Sequence, residues 1–111
     1  MQKVLVILAA LCVAFTMAAS SKASVGHTDY VTSGLLCIHQ YEGAWNDPGA
    51  PYYGGLQMDW NFMQAYGAAF LRRWGTADHW PIYAQLQAGR RGYQVQGWNA
   101  WPTTARMCGL L

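Results

Sequence analysis

The chain has 111 residues, 53% of them hydrophobic, 14% aromatic and only 11% charged, which bounds it to one small domain. Six Trp and seven Tyr among so few charges exclude a disordered tail. A formal charge of +2, with no basic cluster beyond Arg72-Arg73 and Arg90-Arg91, excludes a nucleic-acid binder of the polybasic kind. In chain order, Lys3 precedes an almost unbroken apolar run from Val4 to Ala19, which gives way to Ser20, Ser21, Lys22, Ala23 and Ser24. That is a signal-peptide pattern: a basic start, an apolar stretch, and small residues for the cleavage site at either Ala18/Ser20 or Ser21/Ala23. The run of about 16 residues is shorter than the ~20 that a spanning helix needs, which favours cleavage over an uncleaved anchor. Residues 1–23 are read as the signal and 24–111 as the mature domain, secreted and extracellular or associated with a cell wall, with no membrane contact after cleavage.

Cleavage discards Cys12 and both lysines, so five Arg balance five acids and two cysteines remain, Cys37 and Cys108. In an oxidising compartment a bridge between them is the natural reading, with two unpaired buried thiols as the alternative. The bridge would close a loop of about 70 residues and stabilise the domain by roughly 4 kcal/mol in the chain-entropy model.

The first helix is expected over Thr28 to Glu42, because Val31, Leu35 and Ile38 fall on one face, with Thr28 or Asp29 to cap it and Gly43 to end it. From Gly43 to Gly55 the segment GAWNDPGAPYYGG reads as loop and tight turn, with Tyr52, Tyr53, Leu56 and Gln57 able to form a short β-hairpin. A second helix is expected from Asp59 as cap to Trp74, closed by Gly75, with Trp60, Met63, Gly67, Phe70, Leu71 and Trp74 at helical spacing. Trp60, Phe70 and Trp74 read as core. A third helix starts after Thr76 or Asp78 with Pro81 in its first turn, faces Ile82, Leu86 and Gly89 inward, and ends at Gly92. Pro102 opens a short last helix that carries Cys108 back towards the first. The fold class is therefore mainly α with a short hairpin, and the neutral mature chain is expected to be a monomer.

Extending the stripe Val31, Leu35, Ile38 by four residues lands on Glu42, an unusual place for an acid. The helix C-terminal dipole and partial burial both disfavour its charged form, which suits a general acid in glycoside cleavage. The bland alternative is a Glu that turns to solvent beside Gly43. Trp45, Tyr52, Tyr53, Trp98 and Trp101 lie in Gly/Pro-rich loops, where binding sites concentrate, and aromatic faces cover sugar rings well. Gln57, Asn46 and Asn99 could bond hydroxyls and acetamides. His39 and Glu42 make an HxxE pair without the HExxH zinc pattern, and His27 and His79 have no ligand spacing, so no metal and no cofactor is expected.

The stretches YEGAWND and YYGGLQ, followed by GWNAWPTTARMCGL, resemble the transglycosylase-like domain of actinobacterial resuscitation-promoting factors, a small member of the lysozyme-like superfamily. The resemblance covers nearly the whole mature chain. It implies a lysozyme-like fold, Glu42 as the catalytic acid, Gln57 lining the sugar cleft, and Gly54 and Gly55 letting the backbone come close to the glycan. Gly97, Trp98, Trp101, Pro102 and Cys108 match the closing segment. Departures are visible too: Cys37 lies five residues before Glu42 rather than directly before it, and Phe62 and Met63 stand where the family has a Thr-Trp pair. The implied activity is that of a muramidase or lytic transglycosylase, with Glu42 protonating the bond between N-acetylmuramic acid and N-acetylglucosamine in peptidoglycan strands. Two-acid glycosidases need a second carboxylate about 5 to 9.5 Å away; Asp59 reads better as a cap and Asp47 has no family role. Two other classes stay open, a glycan-binding module of the same fold without catalysis and a small exported structural or interaction protein.

Overall fold

The computed structural model describes residues 28–111; the signal peptide expected over residues 1–23 lies outside the described residues. Four helices follow one another: α1 (Tyr30–Glu42), α2 (Trp60–Trp74), α3 (Ile82–Gln96) and α4 (Pro102–Met107), with 3-10 turns at Ala77–His79 and Gly97–Ala100. None of these helices is long and apolar enough to cross a membrane.

Local chemistry sets the helix ends. Asp29 caps α1 by accepting from the Thr32 amide at 3.0 Å, and Asp59 caps α2 by accepting from the Phe62 amide at 2.8 Å. Gly75, at φ +79°, closes α2 with its amide on the Leu71 carbonyl. Leu35 and Ile38 of α1 are fully buried against Leu56, Met58 and Met63, and each such side chain contributes about 1.5 to 3 kcal/mol.

Small residues on α3 let the other helices approach. Ala84, Ala88, Gly89 and Gly92 form its buried face; a Cβ on Gly89 would stand 2.7 Å from a methyl of Leu56, and one on Gly92 would run into the Phe62 ring. The expected boundary at Gly92 is therefore corrected: α3 continues to Gln96, because the bare backbone at Gly92 seats Phe62 and that packing outweighs the ~1 kcal/mol a helical glycine costs. The inward face is also rotated. Ile82 is 48% exposed, and the buried Gln85 takes a place in the core.

Among the described residues there is no strand. The expected hairpin is reduced to one antiparallel bridge, Tyr53 with Met58. The backbone groups that could lengthen it are engaged elsewhere: the Tyr52 amide donates to Gly49, the Gly54 amide to Asp47, and the Leu56 carbonyl accepts from the Trp101 indole at 2.9 Å. The Cys37–Cys108 disulfide is present and ties α1 to the end of α4.

Candidate functional site

Glu42 is the last residue of α1 and is partly buried. Its Oε1 accepts a 2.9 Å hydrogen bond from the Thr104 hydroxyl on α4, a buried residue 62 positions away. The carboxyl opens on a cavity of about 220 Å³ walled by Tyr52, Gln57, Ala100, Trp101, Pro102 and Thr103. A second cavity of about 360 Å³ continues from it, sharing Tyr52, Gln57, Ala100 and Trp101 and extending past Phe62 to Tyr66 and Gln96. Together they form one cleft that begins at Glu42.

Gln57 stands in the wall of both halves. Its backbone has φ +49°, the left-handed region that side chains other than glycine's rarely occupy, so the turn holds it under strain. Its amide nitrogen donates to Asp47 Oδ2 and to the Gly54 carbonyl, each at 2.9 Å. Two acceptors on one side assign the nitrogen to that side, which leaves Oε1 as the atom able to accept from a ligand in the cleft. Asp47 is thus a clamp on the loop: Oδ1 accepts from the Gly49 amide and Oδ2 from Gln57. Gly43 fits between them, since a Cβ there would lie 3.0 Å from both Asp47 Oδ2 and Gln57 Nε2.

The cleft brings together Glu42, Tyr52, Gln57 and Trp101 from the sequence-derived set. Trp101 is 5% exposed, its indole N–H held by Leu56, so it is a fixed wall of the cleft. Tyr52 is half exposed and forms the rim.

Trp45, Gly54, Gly55 and Trp98 line neither half of the cleft. Trp45 stacks on His39 at 3.8 Å between ring centroids and presses on Gly55, where no Cβ would fit. His39 Nδ1 donates to the Gly55 carbonyl at 3.0 Å, the only role open to it opposite a carbonyl oxygen. Gly54, at φ +74°, and Gly55 are buried under Gln85, Trp45 and His39, so their missing side chains serve packing within the protein. Trp98 is buried between Tyr30 and Tyr93, with its ring over Gly34. Tyr53 lines neither half of the cleft and borders, with Trp60, an adjoining cavity that shares Asp59 and Asn61 with the larger half.

Two contributors, Thr104 and Gln85, escape sequence reasoning. Thr104 carries no motif, and nothing in the linear pattern links it to Glu42. Gln85 is fully buried with every polar atom engaged: Oε1 accepts from the Gly55 amide at 2.8 Å, and Nε2 donates to the carbonyls of Trp45 at 2.8 Å and Trp80 at 3.1 Å. It fixes the loop after Glu42 to the turn that carries Gln57. Phe62, which the sequence marks only as a departure from the resemblance, lines the larger half of the cleft.

Compared with known proteins, the chain has no match among family models, curated proteins or solved structures. The cleft itself narrows the chemistry. Its smaller half offers one carboxyl, that of Glu42, with a hydroxyl donor on one oxygen, beside an amide oxygen and a tryptophan wall; the second acid of the cleft, Asp59, lines the larger half and caps α2.

Proposed function

We propose that the chain is a secreted peptidoglycan-cleaving glycosidase of the lysozyme-like type, in which Glu42 acts as the single general acid on the β-1,4 bond between N-acetylmuramic acid and N-acetylglucosamine. The observation that carries this reading is the placement of the Glu42 carboxyl at the head of a cleft whose walls include Gln57 and Trp101. An aromatic wall covers the apolar face of a sugar, and the Gln57 Oε1 accepts from an acetamide or hydroxyl.

In the proposed reaction Glu42 Oε2, the oxygen that Thr104 does not engage, gives its proton to the glycosidic oxygen as the anomeric C–O bond breaks and oxocarbenium character develops. The resulting carboxylate then takes a proton from the attacking oxygen. If that oxygen is the sugar's own 6-hydroxyl the product is an anhydro sugar, and if it is water the product is a reducing end. Asp59 and Asp47 take no part: the first caps α2 and the second holds Gln57.

Purified peptidoglycan incubated with the full chain tests the proposal. Falling turbidity, absent with Glu42→Gln, is the expected result. Retention on the wall without cleavage would make the protein a glycan-binding module, and no retention at all would leave a structural or interaction protein.

A further inference from the structure

Trp60 was expected in the core, yet it is 53% exposed at the first position of α2. Its neighbours are Ala50, Pro51 and Tyr53 of the preceding loop, and with them it frames an open cavity of about 340 Å³ whose remaining wall is Asp59 and Asn61. Asp59 and Asn61 also line the larger half of the cleft, so this cavity continues the cleft on its side away from Glu42. The helix cap engages Asp59 Oδ1 through the Phe62 amide, which leaves Oδ2 able to accept from a ligand.

We propose that this cavity is an outlying sugar subsite, in which a pyranose unit of the same glycan strand lies flat on Trp60 and bonds its hydroxyls to Asp59 and Asn61. The proposal rests on the glycosidase reading for the identity of the ligand. The chemistry favours a sugar over other occupants. An indole left half in water next to a tyrosine and a proline offers flat apolar area, and a carboxylate and an amide at its edge match the paired hydroxyls of a pyranose ring. Continuity with the cleft supplies the route, because a strand seated at Glu42 and running past Gln57 meets Asp59 and Asn61 before it reaches Trp60. The site would make the protein prefer long strands.

Calorimetric titration of the full chain carrying Glu42→Gln, which leaves the ligand intact, tests this with alternating N-acetylglucosamine and N-acetylmuramic acid oligomers of two and six sugars. Adding Trp60→Ala is expected to weaken the hexasaccharide about tenfold and leave the disaccharide unchanged, while Trp60→Phe keeps most of the affinity. Equal hexasaccharide affinity with and without the indole overturns the subsite, as does a parent chain that binds no oligomer. A concentration-dependent dimer that Trp60→Ala dissolves, with sugar affinity untouched, would assign the face to a second copy of the chain instead. A chain that binds through Trp60 but cleaves nothing retains the subsite and loses the glycosidase.

Discussion

Thr104 donates to one oxygen of Glu42, so a proton carried by that carboxyl sits on the other, the oxygen that faces the scissile bond in the proposed reaction. Thr104→Val keeps the shape and removes the donor. Its expected effect is a fall in kcat of about ten- to 100-fold with retention on peptidoglycan unchanged, read from initial rates of cleavage, because a hydrogen bond to a charged group is worth about 1.5 to 3 kcal/mol. Asp47 acts one contact further out. Asp47→Ala frees the Gln57 amide from its clamp and should raise KM several-fold with little effect on kcat, since in the proposed function Gln57 bonds substrate and does not move the proton. Neither contact was legible beforehand. Glu42 could be singled out because it continues a helical stripe that ends at a glycine, a local pattern. Thr104 becomes its neighbour only when α4 folds back, and the two differently placed tryptophans of GWNAW, Trp98 under α1 and Trp101 on the cleft, have the same linear surroundings.

Asp29 joins two elements, capping α1 while its Oδ1 accepts from Arg90 of α3 at 2.6 Å. The Arg90 guanidinium and then the Thr32 amide hold the Asp29 carboxyl at about 2, below its ordinary 3.8. A depressed carboxylate stabilises the fold above its unfolded value and loses that contribution as pH falls through the folded one. Thermal melts should therefore show the Asp29 contribution fully present above about pH 4 and fading towards pH 2, and Asp29→Asn should flatten that acid limb. The pair is exposed, so the effect is small at high salt. A second junction joins α2 to the turn that precedes α3. Gly67, where α2 kinks, lies against the Trp80 ring, and that ring is fixed by its 2.7 Å bond to the Gly75 carbonyl. Gly67→Ala is expected to destabilise by about 1 to 3 kcal/mol in a denaturant titration, as overpacking against an immobile ring. The starts of α1 and α2 were readable from Asp29 and Asp59 because capping is local chemistry. The end of α3 was not, because Gly92 obeys the Phe62 ring above its own helix propensity.

Across the molecule, α1 brings Glu42 and α4 brings Thr104, and the Cys37–Cys108 bridge staples these two helices together. The bridge spans 71 residues, and opening it with a reductant should lower stability by roughly 4 kcal/mol, measured as a drop in the unfolding midpoint. The aromatic surplus that marks the composition divides by position in the fold. Trp45, Trp80 and Trp98 pack the interior, Trp101 walls the cleft and Trp60 stands at its far end. With balanced charge in residues 24–111 there is no general attraction to an anionic wall, so the proposed function assigns recognition to these rings and to Gln57. In the proposed reaction Glu42 breaks glycan strands by donating a proton in this cleft. Mass analysis of the soluble fragments released from purified peptidoglycan tests it most directly. The full chain should release muropeptides ending in N-acetylmuramic acid or its anhydro form, at a rate at least 100-fold above Glu42→Gln; equal release by both proteins would contradict the account.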